Sequence, residues 1–187
     1  MLLRIVDLLI VNAFGLIVYT LLLRFYLQLL RAPFRNPVGQ FVTALTNWIV
    51  LPARRVIPGL MGIDLSTIIL AWVLQALMLT LLLWLHSLTL ISAPGVATAG
   101  LLFGFAAAWL LRASLYLLIG AVILHVLFSW FNPHTPITPV LNALTRPFYG
   151  IFQRFIPPIG SVDLSPIFVL IGAQALLFVI GDLVGPF

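Results

Sequence analysis

Residues 36–75, NPVGQFVTALTNWIVLPARRVIPGLMGIDLSTIILAWVLQ, return without a gap as residues 135–174, TPITPVLNALTRPFYGIFQRFIPPIGSVDLSPIFVLIGAQ, at an offset of 99 that carries position 36 to 135. Pro37, Ala44, Leu45, Thr46, Arg55, Ile57, Pro58, Asp64, Leu65, Ser66, Ile68 and Gln75 recur as Pro136, Ala143, Leu144, Thr145, Arg154, Ile156, Pro157, Asp163, Leu164, Ser165, Ile167 and Gln174. A tandem repeat of this kind sets the architecture before any local reading does. It predicts one unit over residues 1–91, a short turn at 92–96 and a second unit over 97–187.

Composition names the solvent. The hydrophobic share is 63% and the charged share 7%, too few charges to cover a water-facing surface, so lipid surrounds much of the fold. Every basic residue is Arg and every acidic one Asp. The net charge of +5 is read as loop topology and attraction to anionic lipid rather than as a nucleic-acid footprint. With no Cys in the chain, disulfides, thiol redox chemistry and Cys-ligated metal sites are excluded.

Ile5 to Leu30 is longer than a signal-peptide core and ends in no small-x-small cleavage pattern, so it is expected to remain as a span. Arg24 lies late in that run, and its long stem suits snorkelling to the headgroups. Asn36 then caps a helix with Pro37 at its first position. Val38, Phe41, Val42, Leu45, Trp48 and Ile49 form the apolar stripe of that helix, with Gly39, Gln40, Thr43 and Asn47 opposite. In the second copy Ile137, Val140, Leu141, Leu144, Phe148, Ile151, Phe152 and Phe155 form the stripe. Both helices are too short and polar to span and are expected to lie in the membrane interface.

Arg54 and Arg55 close the first amphipathic helix, and Arg154 follows Gln153 at the end of the second, where the helix dipole is negative. Pro58 and Pro157 stop the helices, and Gly62 and Gly160 turn the chain. Asp64 with Ser66, and Asp163 with Ser165, precede apolar runs and read as caps on the next spans. That reading accounts for both aspartates without chemistry.

Four spans follow, at about 5–30, 65–91, 97–131 and 165–184; a five-span path, with a break near Arg112, stands second. Arg31, Arg35, Arg54, Arg55, Arg146 and Arg154 all fall in the two repeat loops, so by charge bias both loops face the cytoplasm of a bacterial inner membrane. The fold expected is an all-α integral membrane protein of two tandem repeats, each a transmembrane helix pair with an interfacial helix between.

The segments RFYLQLLRAPFRNPVGQF (24–41), RRVIPGLMGIDLS (54–66), FSWFNP (128–133) and RFIPPIGSVDLSP (154–166) resemble the YggT family of bacterial membrane proteins across nearly the whole chain. The chain departs from that family's fuller IPP-GG-DLSP pattern at Gly59, Thr67 and Ser161. The resemblance implies factors in osmotic or ion-stress tolerance, with plastid relatives in cytochrome assembly or nucleoid distribution.

Enzyme chemistry needs convergent polar groups. The chain offers four Asp and three His, and no Glu, Cys or Lys. His86, His125 and His134 show no metal-ligand spacing, so neither a metal nor another cofactor is expected, and the chain is read as a non-enzyme. Arg112 and His125 are intramembrane polar residues; Arg112 would require Asp7, Asp182 or a backbone carbonyl as partner. The reading that asks least is a membrane scaffold or assembly factor whose arginines contact anionic lipid and a membrane-protein partner, or a second copy. A channel or transporter for ions or osmolytes is the alternative, since duplicated membrane halves often line a path.

Overall fold

The computed structural model describes residues 1–57, 59, 64–86, 96–132, 135–154 and 163–184. Among these residues the helices are α1 (Leu2–Leu29), α2 (Pro37–Val56), α3 (Leu65–His86), α4 (Val96–Phe131), α5 (Thr138–Gln153) and α6 (Ser165–Val184). The order long, amphipathic, long occurs twice. Four helices, α1, α3, α4 and α6, are long and apolar enough to cross a membrane, so this is an all-α, multi-pass membrane protein.

These spans carry their greasy side chains outward. Only 22% of the most apolar window of each is buried, and Leu8, Leu77 and Phe178 are more than half exposed. Such a surface is stable only where the surroundings are themselves apolar. Each half closes on its own pair, α1 on α3 and α4 on α6, and α3 against α4 joins the halves. Val18, Leu21 and Leu22 of α1, Val50 of α2, Ala71 of α3 and Leu110 and Ala113 of α4 form one core.

The second amphipathic helix lies at the same end of the bundle as the first. Leu27, Ala32, Val42 of α2 and Val140 of α5 share a buried cluster, which two loops on opposite membrane faces could not do. Helix α4 is continuous through Arg112, which removes the break that a fifth span requires. At 1.5 Å per residue its 36 residues reach about 54 Å, well beyond a hydrocarbon core of about 30 Å.

Local chemistry explains the entry into α2. Asn36 is extended and its side chain accepts from the Gly39 amide at 2.9 Å, the expected cap. The inward face of α2 differs from the expected stripe, however. Gly39, Val42, Thr46 and Val50 are buried, whereas Phe41 and Trp48 are 56% and 65% exposed. This helix has protein on one apolar side and lipid on another, so an apolar stripe alone does not tell which one packs inward. In α5 the expected Val140 and Leu141 are buried, joined by Thr145 and Tyr149, while Ile151 is exposed. Phe155 lies outside the described residues.

A Cβ at Gly39 would collide with the Phe34 carbonyl oxygen and come within 2.9 Å of the Phe34 carbonyl carbon and Cα, and backbone cannot step aside cheaply. Gly39→Ala should therefore cost about 1–3 kcal/mol, read as a lowered thermal midpoint in detergent. Gly15→Ala in α1, where a Cβ meets nothing within 4 Å, should be neutral or stabilising.

Candidate functional site: two matched polar junctions

Where α2 gives way to α3, three helices bring their polar groups together. Asp64 is the residue before α3, and its carboxylate accepts from Arg54 Nε at 3.1 Å and also from Arg54 Nη2. It accepts from the Thr67 hydroxyl at 2.6 Å as well. With the Gln28 amide turned to satisfy both its atoms, its nitrogen donates to Asp64 and its oxygen accepts from Arg54, each at 2.8 Å. Ser66 is fully buried and, rather than capping, donates across the turn to the Ile57 carbonyl at 2.6 Å. Burial raises the Asp64 pKa, but the bonds from Arg54 and Thr67 outweigh it and hold the carboxyl below its ordinary value of 3.8. The charged form is the one that this junction is built around.

The second half repeats the device in neutral form. Gln153, at the position matching Arg54, donates to Asp163 at 2.9 Å, and the Ser165 amide donates to Asp163 at 2.8 Å. Partial burial pushes the Asp163 pKa up, yet its bonds to Ser165 and Gln153 leave it below the usual carboxylate value. Ser165 Oγ, unlike that of Ser66, is buried with no partner among the described residues. Pro58, Gly62, Pro157 and Gly160, expected in these turns, lie outside the described residues, as does His134.

Deeper in each half a threonine meets a basic side chain from the preceding span. Thr46 and Thr145 occupy matched positions, are fully buried and donate to the carbonyls of Val42 and Leu141 at 2.6 and 2.9 Å. Arg24 Nη1 donates to Thr46 at 2.6 Å and to Asn47 at 2.9 Å. Arg24 is only 4% exposed, so the expected snorkel to the headgroups is corrected: α2 covers this end of α1, and the guanidinium meets α2 before it meets solvent. In the second half His125 Nδ1 lies 3.3 Å from Thr145 Oγ1 and 3.2 Å from the Tyr149 hydroxyl, with its ring stacked on Tyr149. Burial pushes the Tyr149 hydroxyl up to about 12, keeping it protonated. Thr46 and Thr145 were missed as site residues; the signal was a hydroxyl retained at the same position of the amphipathic helix in both copies.

Among the described residues Arg112 takes none of its expected partners. Its guanidinium sits 5.0 Å from the centre of the Trp109 ring and 3.5 Å from the Tyr116 hydroxyl. It lies about 20 Å along α4 from His125, inside the stretch of α4 that is apolar enough to span, where the Trp109 and Tyr116 rings offer it their π faces. Asp7 instead pairs with His86 at 3.1 Å, joining the start of α1 to the end of α3. Among the described residues no group of His, Asp, Glu or Cys could hold a metal. The carboxylates at the junctions are engaged by neighbouring helix ends and tie them together.

The CCB3/YggT family model matches residues 3–85 and again 105–184. An "Uncharacterized protein in proC 3'region" of Vibrio alginolyticus is 35% identical over 180 residues, covering 95% of this chain and 94% of the relative. "Uncharacterized protein YggT" of Escherichia coli K12 is 31% identical over 161 residues, 86% of this chain and 78% of that one. "YlmG homolog protein 2, chloroplastic" of Arabidopsis thaliana is 36% identical over 55 residues, only 29% of this chain and 22% of its own length. No solved structure matches significantly.

Since the folded Asp64 ionises below its ordinary value, its contribution is complete above the unfolded carboxylate's pKa and disappears as pH falls through the lower, folded one. Unfolding midpoints recorded from about pH 6 down to about pH 2 should drop below about pH 4, and Asp64→Asn should flatten that drop. Asp64→Ala should cost roughly 0.5–2 kcal/mol. Asp163→Ala should cost less, because its junction is more open to solvent and its described partners, Gln153 and Ser165, are uncharged.

Proposed function

Since the chain belongs to the CCB3/YggT family, we propose that it is a non-enzymatic scaffold or assembly factor of the bacterial inner membrane, presenting a basic face to the cytoplasm. The observation that carries the reading is how charge is divided. Arg31, Arg35, Arg55, Arg146 and Arg154 are all exposed, and all lie in the two repeat loops at one end of the bundle. Among the described residues none of the five has a carboxylate partner, whereas Asp64 and Asp163 are engaged in the junctions behind them. Rigid helices with uncompensated cations at headgroup depth suit anionic lipid and an acidic partner surface. A role in osmotic or ion-stress tolerance is the finer reading that the family adds.

A photo-crosslinker at Arg35 or Arg55 should recover one stoichiometric membrane-protein partner in cells, and a crosslinker at Leu3, at the other end of α1, should not. Arg35→Glu with Arg55→Glu should abolish that product while leaving insertion intact. Ion flux in liposomes holding the purified chain alone, with no crosslinked partner, would replace this reading with a channel. The chain has no Cys of its own, so Arg55→Cys and Arg154→Cys report sidedness directly, and both should be labelled from the cytoplasmic side.

A further inference from the structure

The bundle carries an apolar groove of about 460 Å³ between α1, α4 and α5. Tyr19 and Leu23 of α1, Leu117 and Ala121 of α4, and Leu141 and Leu144 of α5 are among its walls. At Leu30 the groove adjoins a second, more open basin of about 690 Å³, whose mixed lining sets Arg31, Asn142, Arg146 and Arg154 beside Pro139 and Ile151. Helix α5 therefore gives one side to the groove and the other to the basin. Three of the exposed arginines converge on one depression, and among the described residues none of the four Asp lines it.

The backbone at Arg31 gives an independent indication. Helix α1 ends with the Ala32 amide bonding to Leu27 O at 2.8 Å and the Arg31 amide to Gln28 O at 3.1 Å. Ala32 and Leu27 pack together in a buried cluster. That is the helix stop in which the residue at Arg31's position takes a left-handed conformation and is ordinarily glycine. Arg31 has φ 52°, the one positive value at a non-glycine among the described residues. Such strain points to function when the side chain it positions meets a site, and here the side chain lines the basin.

We propose that groove and basin together hold one anionic glycerophospholipid, with an acyl chain between α1, α4 and α5 and its phosphate among Arg31, Arg146 and Arg154. The inference rests on the arginine face lying at headgroup depth. A second copy in the same membrane orientation fits less well. Its carboxylates at this level, Asp64 and Asp163, are taken up internally, while Asp7 and Asp182 lie toward the opposite ends of the spans. A zwitterionic lipid brings the same phosphate but also an ammonium, which three arginines in one depression repel.

The test is native mass spectrometry of the full chain in detergent with phosphatidylglycerol or phosphatidylcholine of the same acyl composition. The wild type should retain one phosphatidylglycerol in preference. Arg31→Gly with Arg146→Gln should lower that relative affinity roughly twenty-five-fold, each arginine near a lipid phosphate being worth about a factor of five. Arg35→Gln with Arg55→Gln removes the same charge from the same face outside the basin and should change it less than about twofold. The Arg31→Gly chain should melt no lower than wild type when lipid-free, since glycine suits that backbone better. Gly120→Phe, at a groove position where a Cβ meets nothing within 4 Å, should also expel the lipid. Equal retention of the two lipids, equal loss in the two double variants, full retention by Gly120→Phe, or displacement by inorganic phosphate alone would overturn the proposal. Failure to find a protein partner in cells would count against the scaffold reading and leave this measurement standing.

Discussion

Asp64 stays charged at the mouth of a membrane span because Arg54, Gln28 and Thr67 converge on it, and most of the first half depends on that convergence. A chain that turns from the membrane surface into the bilayer must satisfy the free amides of the entering helix or leave them in lipid at a cost of several kcal/mol each. The aspartate does this while also tying down the end of α2. Once both ends of α2 are held, by Asn36 and by Arg54, its rotation is settled. Val42, Thr46 and Val50 face the bundle, Phe41 and Trp48 face outward, and Arg55 is left exposed.

Comparing the halves separates the fixed parts of the unit from the adjustable ones. The hydroxyl at Thr46 and Thr145 and the carboxylate at Asp64 and Asp163 are the same in both. Their partners differ: Arg24 against His125, and Arg54 against Gln153. Arg24 brings a permanent charge into a buried place, and its Nε has no partner among the described residues. His125 and Gln153 need carry no charge. The first half is thus the more costly to break by removing a single partner, because a buried guanidinium stripped of its acceptors has nowhere to shed its proton.

Much of this was legible in the sequence. The repeat, four spans, both amphipathic helices and the Asn36 cap follow from hydropathy, helical period and cap chemistry, all of them local. The inward face of α2 was not legible, because a helix lying half on protein and half in lipid has two apolar sides. Nor was the fate of Arg24, whose partners lie 22 and 23 residues away. Both aspartates come just before helices, as expected, but their ties to Arg54 and Gln153 join positions ten residues apart, which no local pattern reveals. The conformation of Arg31 was hidden by its identity. An arginine where glycine would end the helix gives no turn signal, and only Pro33, soon after, marks the stop.

The net charge of +5 is then not a diffuse property of the chain. Duplication of a helix pair gives two halves that each close on themselves, α1 with α3 and α4 with α6, and that meet through α3 and α4. On the other side α1 and α4 touch only sparsely, with α5 crossing below them, so a crevice between the halves follows from the topology itself. Because the repeat loops share one end of the bundle, the arginines that end α1 and line α5 gather at the foot of that crevice. Apolar walls above and cations below match the two ends of a lipid: the repeat places the helices that make the crevice, while Arg31 and Arg146, which have no counterpart in the other copy, supply the cations at its foot.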